Sequence, residues 1–239
     1  MQTFSPPRKN TSPYIWVTWL APLLAGSHHC QWAAWFKANF KFDKETSDEE
    51  FLADWNMKHE NLLNQRADYL ESQGYKVFIE NDNYFKILGK DKKTYIAGKA
   101  DIVAIKGDEV IVEDCKTGRK RAYDPMQVLL YMLLLRISGG PEHCRGKNIE
   151  GRLVYGDQTM DIPSTMLTDD FRSAFRDLVG AVSGIEPARK APGSGEYRFC
   201  KVPSAYCPER MDNQVQNSED EIHRVNISGR LSQLVPSNL

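Results

Sequence analysis

Long hydrophobic runs are missing from this sequence: no apolar stretch reaches the ~18 residues that a membrane span needs. Cysteine is scarce. The five present (30, 115, 144, 200 and 207) are odd in number and irregular in spacing, so no disulfide framework is implied and a reducing compartment is expected. An excess of one charge is missing too. Thirty-one basic residues face 32 acidic ones, a net charge of −1, so a polyanionic partner would have to be held by a local basic patch. Internal repeats are absent, as is any segment resembling a sequence-reading module. What is there is ordinary for a soluble globular chain: 239 residues, 41% hydrophobic and 26% charged, enough for one sizeable domain.

The amino terminus needs care. "PPRKN" followed by "YIWVTWLAPLLAGS" has the outline of a secretory leader. Two tryptophans and a proline interrupt its apolar core, and it runs straight into "HHCQWAAWFKANF". It therefore reads as folded structure, and an intracellular location is expected.

Residues 1–12 are polar and read as disordered; residues 13–211 read as a single domain; residues 212–239 read as a flexible tail. Within the domain, residues 13–74 are predicted to be helical, with a break near Gly26. Ser47 and Glu50 have the spacing of a capping box for a helix that should stop at Gly74. Residues 75–163 carry the sheet. Short β-rich runs separated by "NDN", "GKDKK" and "KGDE" predict an antiparallel meander, followed by a helix that Asp124 can cap and Pro125 can open. Residues 164–211 hold a last helix and a cysteine-containing segment. The order of elements implies an α/β architecture around one mixed sheet flanked by helices.

Chemistry concentrates in "GKADIVAIKGDEVIVEDCKTG", residues 98–118. Side chains two apart on a strand share a face, so Asp114 and Lys116 point one way while Glu113 and Cys115 point the other. If "KGDE" turns a hairpin, Asp101 lies beside them. Two converging carboxylates make a hard-oxygen site suited to Mg²⁺ or Mn²⁺. A lysine beside them can stabilise charge developing on a phosphate. The Cys115 main-chain carbonyl is a further candidate ligand, whereas its thiol suits the core. The bland alternative is a salt-bridged Asp–Lys pair on a half-exposed strand.

Context sharpens the reading. Gly98–Asp101, then Asp114–Lys116 with Thr117–Gly118, then Gln127 and Tyr131 one helical turn apart, together resemble the PD-(D/E)XK nuclease superfamily. Within it they are most similar to the RecB-like branch that includes the CRISPR-associated adaptation exonuclease. The resemblance implies a restriction-endonuclease-like fold and metal-dependent hydrolysis of DNA, of exonuclease type. By position it makes Asp101 and Asp114 metal ligands and Lys116 the catalytic lysine. Gln127 and Tyr131 would orient the site or touch the nucleic-acid strand. His59 would complete the metal shell from the preceding helix; its bland alternative is a satisfied helix-face histidine. His28 and His29 suit that role less, and Glu80 reads as a solvated strand-end residue.

Part of the same branch carries a [4Fe–4S] cluster. Cys30, Cys200 and Cys207 match three of its ligands, but Tyr197 stands where the fourth thiolate belongs. Either the cluster is lost, or another group such as Cys144 substitutes.

Arg119, Lys120 and Arg121, following Lys116, could meet an approaching phosphate backbone, or could be a solvated loop. Trp16, Trp19, Trp32, Trp35 and Phe36 could stack single-stranded bases, but their near-helical spacing favours core. DNA is the expected partner, with proteins in trans supplying specificity and no membrane involved. The alternatives are a DNA-holding scaffold subunit and a structural protein of a viral or mobile-element assembly.

Overall fold

The computed structural model describes residues 3–44, 49–138, 142–156, 158–191, 196 and 200–210, without the side chains of 49–52. The expected capping box, Tyr197 and the tail from 212 onward lie outside the described residues. The chain opens with β1 (Arg8–Lys9), β2 (Tyr14–Trp16), α1 (Val17–Leu24), α2 (Gln31–Asn39) and β3 (Phe40–Lys41). A long helix, α3 (Glu49–Ser72), runs without a break into β4 (Lys76–Ile79), β5 (Tyr84–Leu88), β6 (Tyr95–Lys99), β7 (Ile102–Lys106) and β8 (Glu109–Cys115). Then come α4 (Asp124–Ile137), β9 (Glu150–Tyr155), β10 (Gln158–Ile162) and α5 (Asp169–Ser183).

The central sheet is mixed and five-stranded, in the order β10-β9-β8-β7-β4. Its middle strand, β8, is buried from Val110 to Cys115, as a strand covered on both faces must be. It pairs antiparallel with β7 and parallel with β9, and α4 is the crossover that the parallel pair requires. Strand alternation sorts the side chains. Val103, Val110, Val112 and Leu153 join α4 in the main core. Ile102, Ala104, Cys115 and Val154 pack on the other face with Leu63 and Leu70 of α3. This is the α/β, restriction-endonuclease-like arrangement that the sequence implies.

A second sheet of three strands, in the order β2-β6-β5, lies beside the first. It corrects the expected meander. The continuous β-rich run from Thr94 to Lys106 breaks at Ala100 and Asp101, so β6 and β7 belong to different sheets. The cause is local. Asn83, fully buried, donates its side-chain amide to the carbonyls of Phe78 and Ala100, tying the β4–β5 turn to the break. Residues 14–16 were expected to be helical but form β2, parallel to β6, and the alternation of Tyr14, Ile15 and Trp16 explains why. Strand β10 was not expected at all. The amino-terminal stretch is not wholly unstructured either: β1 pairs with β3, and the Ser5 N–H reaches the Asp43 carboxylate.

Asp124 does not cap α4. Its carboxylate instead accepts from the Arg121 N–H at 2.9 Å and from the Tyr155 hydroxyl at 2.6 Å, locking the helix start to the end of β9. Among the described residues no helix is long and apolar enough to cross a membrane.

Candidate active site

The β7–β8 hairpin turns through Gly107 and Asp108, and Gly107 takes a φ of +61° that glycine adopts without strain. Its register, Ile102 opposite Glu113, brings Asp101 beside Asp114. Oδ2 of Asp101 accepts the backbone N–H of Cys115 at 2.7 Å, and Oδ1 faces His59 Nε2 at 3.6 Å. Asp114 and Lys116 share a face, as the alternation required. The Lys116 ammonium lies 2.6 Å from Asp114 Oδ2. Gln127, on the first turns of α4, donates to Asp114 Oδ1 at 2.8 Å and to the Tyr131 hydroxyl at 3.2 Å. Its carbonyl accepts from Lys116 at 3.3 Å.

Electrostatics follow from burial. Removal from water pushes the Asp114 carboxyl up, and the Lys116 ammonium opposes that shift. Burial alone would weaken the Lys116 ammonium, but the Asp114 carboxylate outweighs it and the lysine is held charged. Asp101 facing His59 raises the imidazole above its usual value despite partial burial. Burial, then the charges of Asp114 and Asp101, push the Tyr131 phenol well up, so it stays neutral.

Gly98 owes its identity to close packing. It lies opposite Phe85 across β5 and β6, and a Cβ there would sit 2.5 Å from the Phe85 ring. That ring packs edge-on against Tyr131 at 6.4 Å.

The donor set suits a hard divalent cation in kind: two carboxylates and an imidazole facing one of them. His59 Nδ1 is buried without a hydrogen-bond partner, whereas Asp114 Oδ2 is held by the Lys116 ion pair. Among the described residues, however, no three His, Cys, Asp or Glu side chains stand together in metal-holding geometry.

Several neighbours gave no sequence signal on their own. Glu113, on the α3 face of β8, is fully buried and accepts from Arg66 at 2.6 and 2.7 Å, with Arg152 at 3.6 Å. Trp55 stacks on His59, ring centroids 5.4 Å apart and nearly parallel. Their four-residue spacing on one helix was the available clue. Glu80 is more than a solvated strand end. It adopts a left-handed φ of 44°, gives its N–H to the Asp101 carbonyl and pairs with Lys99 at 3.2 Å.

Arg119, Lys120 and Arg121 are exposed beyond Lys116. Two are partly engaged: Lys120 lies over the Tyr155 ring, and Arg121 donates to the Tyr123 hydroxyl. His28 and His29 lie elsewhere. His28 packs against Tyr123, and the His29 backbone binds Glu196.

The [4Fe–4S] cluster implied by the resemblance gains no support from the cysteine corner. Cys200 and Cys207 pack with Trp35 and Phe36, and Cys30 starts α2 with its N–H on Glu196. Among the described residues these three thiols form no metal-holding group. The cation beside them is Lys37, whose ammonium lies 4.7 Å over the Trp19 ring. Burial pulls the Lys37 ammonium down to about 8, with Cys200 and Cys30 opposing and Lys201 adding to the shift. Cys144 is buried in the main core, in a different packed group, and is no substitute. Helix α2 is joined here to the later part of the chain: Phe36 packs on Tyr206 at 5.8 Å, and Trp35 donates its indole N–H to the Gly184 carbonyl. Trp35 and Phe36 are therefore core, as their spacing suggested, while Trp16 stands apart on the outer sheet.

A mixed sheet with a crossover helix, carrying paired carboxylates and a lysine on its central hairpin, defines a restriction-endonuclease-like domain. The chain belongs to the PD-(D/E)XK nuclease superfamily, whose sequence model matches residues 25–211. Among solved structures, one described as the crystal structure of SSO0001 is similar over 87% of this chain and 91% of its own, at 17% identity and a TM-score of 0.49. No curated protein matches the chain in sequence.

Proposed function

We propose that this member of a nuclease superfamily is a metal-dependent deoxyribonuclease of exonuclease type. The observation that carries the reading is the constellation of the buried Asp114 and Gln127 with the half-buried Asp101 and Lys116, and with His59 facing Asp101. The buried His59 Nδ1 has no hydrogen-bond partner, which is uncommon for a purely structural histidine.

Asp101, Asp114, His59 and the Cys115 main-chain carbonyl would hold Mg²⁺ or Mn²⁺. Such an ion, when bound, supplies Lewis acidity toward a phosphodiester and lowers the pKa of a coordinated water. The residues of the chain supply the rest. Lys116 stays charged beside Asp114 and can stabilise negative charge on a phosphate oxygen. Gln127 fixes the orientation of both side chains by one donated and one accepted hydrogen bond. Tyr131, kept neutral by burial, holds Gln127. Trp55 covers one face of the His59 ring and limits its rotation. Arg119, Lys120 and Arg121 would meet the phosphate backbone as it approaches.

The test is cleavage of labelled single- and double-stranded DNA, linear and circular, with Mn²⁺, Mg²⁺ or EDTA. Wild type runs beside Asp114→Asn and Lys116→Met. Metal-requiring cleavage of linear but not circular DNA, lost in both variants, supports the reading. A folded wild type that binds DNA and never cuts it overturns the enzyme and leaves a DNA-holding scaffold.

A further inference from the structure

The outer face of the three-stranded sheet has an unusual composition. The inner face, with Ile15, Phe85 and Ile96, closes on the main core. Alternation turns Tyr14 and Trp16 of β2, Tyr95 and Lys99 of β6, and Tyr84, Lys86 and Leu88 of β5 the other way. An outer sheet face is ordinarily polar. Here four aromatic rings form one connected group. Tyr14 lies 5.9 Å from Trp16 and 6.4 Å from Tyr95, and Trp16 lies 6.3 Å from Tyr84. The Tyr14 and Tyr84 hydroxyls are bonded at 2.9 Å, which fixes both rings. Tyr84 is 40% exposed and Leu88 48%.

The cations on this face are Lys86 and Lys99, the latter paired with Glu80 at 3.2 Å. The Lys86 ammonium lies 4.1 Å from the Tyr95 ring centre and 5.4 Å from that of Tyr14, a cation held among π-faces. Rigid aromatics interleaved with lysines complement unpaired bases and their phosphates. Duplex DNA does not suit such a face, because its bases already stack on one another.

The face is also continuous with the candidate active site. Lys99 pairs with Glu80, whose N–H binds the Asp101 carbonyl, and Asp101 follows two residues after the end of β6. At a strand rise of ~3.3 Å per residue, Tyr95 stands ~20 Å from Asp101 along the chain, room for a few nucleotides.

We propose that this face is a stacking platform for single-stranded DNA. Bases rest on Trp16 and Tyr84, Lys86 (held over Tyr14 and Tyr95) and Lys99 take phosphates, and the strand is led toward Asp101 and Asp114. The proposal rests on the nuclease reading for its choice of DNA and adds a single-stranded substrate and a path for it.

The experiment measures anisotropy of a labelled oligo(dT) and of a length-matched duplex in EDTA. Binding is compared for wild type, Tyr84→Ala, Lys86→Ala, Trp16→Ala and Trp16→Phe, each checked by circular dichroism and melting. Cleavage of a dinucleotide substrate, too short to reach the platform, is followed in parallel with Mn²⁺. The expected result is roughly tenfold weaker oligo(dT) binding for Trp16→Ala and Tyr84→Ala. Trp16→Phe stays near wild type, and duplex binding and dinucleotide cleavage are unchanged. Folded Tyr84→Ala and Lys86→Ala proteins that bind oligo(dT) like wild type overturn the platform while leaving the nuclease reading intact. So does equal weakening on duplex, or a concentration-dependent dimer in sedimentation that is lost in Tyr84→Ala, which makes the face a self-association surface. Absence of cleavage beside the expected binding pattern sinks the nuclease reading and supports the platform.

Discussion

Gln127 donates its side-chain amide to Asp114 Oδ1 across 2.8 Å, while its carbonyl accepts from Lys116. One neutral side chain thus sets the orientation of an acid and a base that burial drives in opposite senses. Gln127→Leu removes both bonds. Turnover on DNA is expected to fall about 10- to 100-fold, the usual cost of losing a group that orients a metal ligand. The Mn²⁺ concentration needed for half-maximal rate should rise as well. Rates at graded Mn²⁺ check this, and a wild-type response would refute the positioning role.

Arg66 is expected to matter for stability. It offers two hydrogen bonds to the fully buried Glu113. Arg66→Met strands most of that charge, and urea unfolding should show a loss of about 3–5 kcal/mol. Replacing both partners, as Arg66→Met with Glu113→Leu, should recover most of it, because no charge then remains buried without its partner.

Gly98 illustrates how a motif residue can serve packing. Alanine there would press on Phe85, which supports Tyr131. Gly98→Ala should cost about 1–3 kcal/mol. The same change should cost less in a Phe85→Leu background. A double-mutant cycle by thermal or urea melts reads the coupling, and additive costs would contradict it.

Lys37 gives a pH signature. Its folded pKa, lowered to about 8, lies below the unfolded value of 10.5. The burial penalty therefore applies in full below pH 8 and fades as pH rises toward 10.5. Wild type should gain stability relative to Lys37→Met across that window, by about 1–3 kcal/mol. At pH 7 the methionine variant should be the more stable. Parallel curves from pH 7 to 10 would count against this.

The strands and helices that carry chemistry were legible because their signals are local. A period-two alternation fixed the faces of Asp114 and Lys116, and Pro125 marked the start of α4. The split between two sheets was not legible. It depends on one buried amide, Asn83, bridging two carbonyls distant in sequence. Trp16 was grouped with the helical tryptophans for a related reason: three residues are too short a run to distinguish a strand from the helix that follows. The arginine pair around Glu113 was hidden because nothing in Glu-Asp-Cys-Lys says which acid meets which base once the sheet is covered on both sides. The iron–sulfur pattern that the resemblance implied gains no support: Cys200 and Cys207 pack in an aromatic corner with Trp35, Phe36 and Tyr206, and Tyr197 lies outside the described residues.

The β7–β8 hairpin also bears on the order in which the site comes together. A two-residue turn closes the contact between Asp101 and the Asp114 strand, so its loop-closure cost is small. His59 arrives only when α3 docks across the far face, and Gln127 only after the crossover through α4. The acidic pair and Lys116 can therefore form early, on one fast-forming element, and wait until slower tertiary contacts bring the amide and the imidazole. Amide exchange during refolding should show protection in residues 102–115 before it appears in α3.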